Sequence, residues 1–372
     1  MSITEDGSLP NQKKRQVLVC ALDWGLGHAT RCIPLIESLV QEGHEPILAS
    51  SGSALDFWKA YFPKLETYPL ANHRMVYIGP AWLSGLILTP QLLFARSRDK
   101  ELVKRICLGR KIDLILSDNR YGCFDKNTPS IFLTHQLDLL PPTKWNAVGK
   151  WLWKHSWKLG FGWMIKPFQE VWIPDLPDKS RSLAGKMALS TLPVKQRHIG
   201  YISRLSRLAY PNKKGTLLLL SGPEPQRTLL ENKLLASENE FIHPVTLVRG
   251  SAAPGKRDIP AHWKVYNQLT DASFINELIA SHQLVVCRPG YSTLMDLHAV
   301  GAKFVVVPTP GQPEQEYLAE RLHAFNIAPF QSQKKLNVVT LLQTSERYKG
   351  FEGSNAANFN ALWSEVLSSL AT

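Results

Sequence analysis

Two α/β domains of parallel strands, joined in one chain of 372 residues, are what this sequence predicts. Three observations carry that expectation. Residues 284–320, LVVCRPGYSTLMDLHAVGAKFVVVPTPGQPEQEYLAE, read as strand, tight loop, helix, strand, loop and helix. Residues 17–30 and 216–227 each repeat its opening, a buried apolar run that breaks at a Gly-containing loop and enters a helix. The length is sufficient for two cores that need no disulfide or metal staple.

Composition narrows the partners. Lys plus Arg is 43 against 31 acidic residues, a net charge of +12, which favours nucleic acid, acidic lipid or a phosphorylated substrate. The five cysteines have no CxxC spacing, and Cys20 and Cys287 sit inside apolar runs, so buried reduced thiols in a cytosolic compartment are expected. Residues 1–15 are polar, end in Lys13-Lys14-Arg15 and lack the apolar core of a secretory signal; they read as a disordered leader.

The first domain is expected over residues 16–200. Residues 17–22 form a buried strand, and Asp23-Trp24-Gly25-Leu26-Gly27-His28 turns into a helix that starts near Thr30. Gly25 and Gly27 permit the tight turn and close approach needed at a ligand-facing loop. A dinucleotide fingerprint would have Gly or Ala at position 30 and an acid after the second strand. Thr30 and the serines that end the strand at 46–50 argue against NAD. His28, on a loop facing a cleft, can accept a proton near neutral pH.

Residues 76–95 carry no charge, but Gly79-Pro80, Gly85 and Pro90 interrupt them, and Arg96 and Arg98 follow. They read as short apolar pieces that cover the sheet or dip into a membrane face, not as one helix. Residues 112–117 are a strand ending at Asp118, and 131–133 another that ends in Thr134-His135-Gln136.

Residues 144–166, KWNAVGKWLWKHSWKLGFGWMIK, have an unusual composition. Wound as a helix, Val148, Leu152, Leu159 and Trp163 share a face suited to packing on the domain. Trp153 and Trp157 fall opposite, beside Lys150, Lys154 and Lys158, as a membrane-facing surface would have them. The alternative is a solvated basic face with indoles folded over lysine stems. A nucleic-acid reading has no fold signature behind it. Residues 171–173 are expected to close the first sheet.

Residues 201–214 form a basic linker, and a second domain follows over 215–354. Its strands are 216–220, 245–248, 265–269, 284–287 and 304–307. Gly290 allows close backbone approach, and Ser292 and Thr293 stand at a helix start where free N–H groups favour phosphate. Asp296, about one turn further, can accept both hydroxyls of a ribose, and Glu314 and Gln315 can bind sugar hydroxyls. Residues 355–372 end the chain in an amphipathic helix, with Phe359, Leu362, Trp363, Val366 and Leu370 on one side.

The pattern R-P-G-Y-S-T-x-x-D-L (Arg288–Leu297) followed by P-T-P-G-Q-P-E-Q (Pro308–Gln315) resembles the donor site of GT-B glycosyltransferases. It is most similar to family 28 enzymes, the bacterial transferases that add GlcNAc to undecaprenyl-diphospho-muramylpentapeptide. The family's usual Glu at the ribose position is Asp296 here. G-x-G-H-x-T-R at 25–31 resembles the family's acceptor-facing first loop, and 175–186 its D-L-x-x-x-S-x-x-G-K loop.

The resemblance implies two Rossmann-like domains facing across a cleft, with the last helix crossing back to the first domain. It implies sugar transfer from a nucleotide-diphospho-sugar, UDP-linked, to a lipid-linked or membrane-proximal acceptor, at the inner face of the plasma membrane. In related transferases a first-loop His pairs with an Asp that orients it, which points to His28 and Asp118; the other reading of Asp118 is a cap on its own turn. The resemblance also sets His135 on the acceptor side. It puts Ser221, Gly222 and Arg227 against the donor phosphates, Arg288 in the donor loop, and Leu269 beside the base. No cofactor or metal is implied beyond the nucleotide sugar, since the chain has no Asp-x-Asp pair. The rival readings are a nucleotide-sugar epimerase of the same fold and a non-catalytic peripheral membrane protein.

Overall fold

The computed structural model describes residues 14–72, 81–141, 145–251, 258–354 and 358–370, with the backbone alone over 81–90. The first domain contains β1 (Gln16–Ala21), α1 (Gly27–Gln41), β2 (Glu45–Ser50), α2 (Gly52–Tyr61), β3 (Thr67–Pro69), α3 (Ala81–Gly109), β4 (Leu114–Asp118), β5 (Ser130–Leu133), α4 (Ala147–Ile165), β6 (Glu170–Ile173) and β7 (Lys195–His198). The strands form one parallel sheet in the order β3-β2-β1-β4-β5-β6-β7. Val17–Ala21, Ile47–Ser50 and Leu114–Asp118 are buried on both faces, which is why these strands read as continuous apolar runs rather than alternating ones.

The second domain contains β8 (Thr216–Leu219), α5 (Gln226–Leu235), β9 (Val245–Val248), β10 (Lys264–Tyr266), α6 (Ala272–Ser281), β11 (Leu284–Cys287), α7 (Tyr291–Val300), β12 (Phe304–Val306), α8 (Pro313–Ala324) and α9 (Val338–Ser345). Its parallel sheet runs β10-β9-β8-β11-β12. Both domains are therefore doubly wound. In each, the strand order reverses beside the first strand, between β1 and β4 and between β8 and β11, and ligands bind outside the carboxyl ends at such points.

Several elements differ from the sequence expectation. Helix α1 begins at Gly27, so His28 lies in its first turn and not on the preceding loop. Helix α3 runs unbroken through Gly85 and Pro90, because a proline bends a helix without ending it when neighbouring structure supports the freed carbonyl. Residues 76–80 lie outside the described residues. No helix among those described is long and apolar enough to cross a membrane. Strand β6 does not close the first sheet: β7 pairs beside it from Glu170↔Lys195 to Ile173↔His198, a polar edge strand without an apolar signature. Strand β10 ends at Tyr266, leaving Leu269 in the loop that follows.

Two buried features set the cleft edge. Arg120, fully buried, reaches Asp99 of α3 at 2.9 Å, Ser51 Oγ at 2.6 Å and the Ala21 carbonyl at 2.8 Å. It thereby ties the ends of β1, β2 and β4 to α3. Helix α10 (Asn360–Ser369) crosses back onto the first domain. Trp363 is fully buried, packs on Trp172 of β6 with ring centroids 5.1 Å apart, and donates to the Leu35 carbonyl of α1 at 3.0 Å. Ser38 and Arg197 add polar contacts to Asn360 and Glu365.

Replacing Trp363 with Ala should destabilise the protein by about 3–5 kcal/mol, the range for emptying a buried indole site. Denaturant unfolding measures it, and a loss below about 1 kcal/mol would mean that α10 does not anchor the domains.

Candidate active site

The centre of the cleft is built on Asp118, the last residue of β4 and fully buried. Parallel pairing with β1 sets it opposite Ala21, at the strand end from which the His28 loop departs. Arg31, one turn into α1 and 3 % exposed, grips the carboxylate with two N–H groups, Nε to Oδ2 at 2.7 Å and Nη2 to Oδ1. His28 Nδ1 lies 3.2 Å from Oδ1, and the Cys32 thiol 3.5 Å from Oδ2.

Burial opposes charge on Asp118, but the Arg31 guanidinium and then His28 outweigh it and hold the carboxyl well below the usual range. Asp118 is therefore an acceptor only, and His28 Nδ1 carries the proton between them. Burial lowers the pKa of His28 below the ordinary imidazole value; Asp118 pulls the other way and Arg31 pushes it further down. The ring is neutral at pH 7. Its Nε2 makes no hydrogen bond among the described residues and is free to take a proton. Asp118 thus orients His28 in addition to ending its strand. Arg31 went unassigned in the sequence, although its i+3 spacing from His28 on a helix was the available signal.

The second domain meets this group directly. Ser292 Oγ donates to the Gly27 carbonyl at 3.0 Å, and a Cβ at Gly27 would stand 3.2 Å from that hydroxyl. Gly25 takes φ +82°, the left-handed turn that lifts the loop into the helix. Tyr291 stacks on His135, with ring centroids 4.0 Å apart and planes 5° apart, and donates to the Pro174 carbonyl at 2.7 Å. His135 Nε2 lies 3.0 Å from Glu314 Oε1, and the Gln136 amide donates to Oε2. Burial opposes ionisation of Glu314, and the contact with His135 outweighs it, so its pKa is lowered. His135, Gln136 and Glu314 therefore bridge the domains.

On the donor side, Gly290 is the N-cap of α7 and provides no capping side chain, which leaves the N–H groups of Tyr291, Ser292 and Thr293 unpaired within the helix. Ser221 and Gly222 follow β8, the strand beside β11. Gly222 has φ +103°, and its Cβ position lies 3.6 Å from Thr309 Oγ1, a buried hydroxyl with no hydrogen-bond partner among the described residues. Thr309 was another residue the sequence reading left unassigned. Gln315 accepts from the Thr309 amide at 2.8 Å and so shapes this loop.

Asp296, half-buried, accepts from Ser203 of the interdomain linker at 2.6 Å. Burial raises its carboxyl to about 6, against the pull of Ser203 and Arg204.

Two expected donor-site contacts are corrected, Arg227 at the phosphates and Arg288 in the donor loop. Arg227 is buried and its guanidinium is occupied by Glu224 Oε1 at 2.7 Å, Glu231 Oε2 at 2.8 Å and the Arg249 carbonyl at 3.3 Å. Arg288 is fully buried, bonding the Val307 and Gln226 carbonyls at 2.9 Å each and Gln333 Oε1 at 2.5 Å. Both brace the loops from beneath. The carboxylates of Glu224 and Glu231 and one loop carbonyl claim Arg227, and two backbone carbonyls and Gln333 claim the terminal nitrogens of Arg288. Leu269 is half-buried against the apolar core.

The orientation of α4 is also corrected. Trp153 and Trp157 face inward, donating to the carbonyls of Leu139 at 3.0 Å and Leu137 at 3.3 Å. The outward face carries Val148, Trp151, Leu152, Leu159 and Trp163 at 54–77 % exposure. An indole needs an acceptor for its N–H, and two free carbonyls at 137 and 139 draw in the rings that helical periodicity alone assigned to the surface. Lys150, Lys154 and Lys158 remain exposed beside the apolar face. Arg96 of α3 stacks over Trp163 at 4.3 Å. Between the start of α4 and α8, beside Glu314, opens a cavity of about 200 Å³ lined by Leu140, Pro141, Lys150, Pro313 and Tyr317.

Comparison with known proteins agrees with this construction. Residues 227–360 match the glycosyltransferase family 28 C-terminal domain. An uncharacterized glycosyltransferase of Methanosarcina mazei is 25 % identical over 321 residues, covering 82 % of this chain and 81 % of that protein. Among solved structures, the spinosyn forosaminyltransferase SpnP superposes with a TM-score of 0.62 at 13 % identity, over 96 % of this chain and 95 % of its own. MurG of Acinetobacter baumannii superposes with a TM-score of 0.56 at 13 % identity, over 96 % and 99 %. The second domain is thus of the glycosyltransferase family 28 C-terminal type, and the chain has the GT-B fold.

Proposed function

We propose that the protein transfers a hexose or N-acetylhexosamine from a UDP-linked sugar to a hydroxyl or phosphate of a lipid-linked or membrane-proximal acceptor, by single displacement and without a bridging metal. One observation carries this reading: the neutral, oriented His28 of the first domain follows Gly27, whose carbonyl accepts from Ser292 at the uncapped start of α7 in the second. A helix N-terminus favours the donor diphosphate and offsets the charge that grows on it as the sugar departs. His28 Nε2 takes the proton of the attacking acceptor hydroxyl, and Asp118 stabilises the imidazolium that results. Ser221 and Gly222 add backbone N–H groups opposite Thr309. Asp296 exchanges Ser203 for the ribose hydroxyls, and Glu314 with Gln315 faces the sugar.

The acceptor half supports a membrane setting at the inner leaflet. The outward face of α4, continued by Phe94 of α3, is apolar and ringed by Lys150, Lys154, Lys158, Arg96 and Arg98. Each cation near an anionic leaflet contributes about 1 kcal/mol, and buried indole area adds to it. Its partners in this reading are the nucleotide sugar, the lipid-linked acceptor and the anionic surface, with no nucleic acid.

His28→Ala should lower kcat by about 10²–10⁴ while donor affinity stays near that of wild type. The base works as the neutral ring, so the acid limb of kcat/KM should lie below the ordinary imidazole value of 6.5. Near-normal turnover in the mutant would remove His28 from catalysis, and sugar turnover without acceptor would favour an epimerase.

Calorimetric titration with a panel of nucleoside diphosphates tests the donor. Asp296→Ala should weaken binding by about 1.5–3 kcal/mol, the worth of a charge-assisted hydrogen bond. In wild type, affinity should fall as pH drops through about 6, where the carboxyl takes up its proton. Unchanged affinity across the panel would exclude Asp296 from the site.

Co-sedimentation with vesicles tests the surface. Wild type should bind anionic vesicles, less so at high salt. A Trp151→Ser, Leu152→Ser, Trp163→Ser variant should lose most of that binding. Equal sedimentation of the two proteins would reject this face.

A further inference from the structure

We propose that Arg31 is a positioning residue that sets opposite tautomers on the two cleft histidines, making His28 a proton acceptor at Nε2 and His135 a proton donor at Nε2. The inference deepens the transfer reading above and rests on it for its catalytic meaning.

The geometry leaves few alternatives. Arg31 is 3 % exposed and spends its guanidinium in two directions. Nε and Nη2 hold both oxygens of Asp118, while Nη1 lies 3.3 Å from His135 Nδ1. A guanidinium has donors only. His135 Nδ1 is therefore the acceptor, and a neutral ring must carry its hydrogen on Nε2. That nitrogen lies 3.0 Å from Glu314 Oε1, which is an acceptor as a carboxylate. Through Asp118 the same cation acts in the reverse sense on His28. The ionised carboxylate accepts from Nδ1, so the hydrogen sits there and Nε2 is bare.

The groups around the two rings agree with this pattern. His28 faces Asp118 of β4, Arg31 and Cys32 of α1, His135 beyond β5, and Glu314 of α8. His135 is covered by the Tyr291 ring of α7, whose hydroxyl is turned away to Pro174. Arg31 reaches His135 Nδ1 directly, and its charge adds to burial in disfavouring protonation of His28. The result is one ring prepared to receive the acceptor proton and another that presents a neutral N–H at the interdomain face. When Glu314 turns to a donor sugar, that N–H is left directed at the donor.

The decisive measurement is the ¹⁵N shift of both histidines in the full-length wild type at pH 7.5, assigned with His28→Gln and His135→Gln. Expected are two neutral rings, Nδ1–H for His28 and Nε2–H for His135. Identical tautomers, or an imidazolium at either position, would overturn the proposal. Arg31→Met should lower kcat about 10–100-fold, keep donor KM within about twofold and move the acid limb of kcat/KM up by about one pH unit. The limb moves up because His28 is left paired with Asp118 without the opposing cation. Arg31→Lys should restore the limb only in part, since an ammonium cannot span Asp118 and His135 together. A fall in kcat with an unmoved acid limb would reduce Arg31 to a structural role. Should the Met variant fail to fold, the wild-type tautomers decide alone. They are read without turnover, so an inactive wild type counts against the transfer reaction and not against Arg31.

Discussion

The carboxylate of Asp118 is buried at the end of a central strand, and the architecture of the cleft follows from the need to satisfy it. An ionised carboxylate deprived of water is costly, and removing one partner of such a pair typically costs about 3–5 kcal/mol. Here the compensation comes from Arg31, His28 and Cys32, all within the first turns of α1. That requirement sets how close α1 approaches β4 and which way its first turn faces. Because Arg31 also reaches His135, the loop after β5 is held in the same network. One buried charge thus aligns three separate segments of the first domain at its sheet's switch point.

The two domains are joined by contacts of different character. At the back, the apolar cluster is continuous through Ile202 and Leu205 of the linker, α7 and Trp363 of α10, and water is excluded from it. In the cleft the contacts are polar: Ser292 to Gly27, and Glu314 to His135 and Gln136. Hydrogen bonds of this kind exchange for ligand groups at little net cost, whereas dry packing does not. The cleft contacts can therefore give way to ligand groups, while the helix crossing is held by dry packing. Asp296 lies where these regions meet, since its partner Ser203 belongs to the linker. Its raised carboxyl makes it sensitive to what replaces that partner.

The outward face of α4 stands apart from this economy. Large apolar side chains are turned to solvent although the helix has inward positions for indoles, and those are filled by Trp153 and Trp157. A patch with Trp151, Leu152, Leu159 and Trp163 on one helix, with Phe94 nearby, exceeds what scattered surface hydrophobics require. The adjacent cavity between the start of α4 and α8 is lined by Lys150 from this helix and by Pro313 and Tyr317 from α8.

What the sequence by itself determined was the architecture and the chemical vocabulary of the cleft. Buried parallel strands are apolar throughout and end sharply, so the strands through β1, β2, β4, β8 and β11 and their loops were legible, as were the placements of Asp118 at a strand end and Ser292 at a helix start. The polar edge strand β7 and the three-residue β3 were not, because edge strands lack an apolar signature. Tertiary structure alone decided which charges face the ligand. Arg227 looks like a phosphate partner and Arg288 like a donor-loop ligand in the sequence, yet a guanidinium beside a loop is equally suited to brace it: Glu224 and Glu231, three and four residues away, claim Arg227, and groups 19 to 62 residues away claim Arg288. Arg31 had the reverse history: its i+3 spacing from His28 is a local signal, but the partners that give it a role lie 87 and 104 residues away. The facing of α4 turned on the same physics, since periodicity identifies the faces of a helix but only the free carbonyls of Leu137 and Leu139 determine which face goes in.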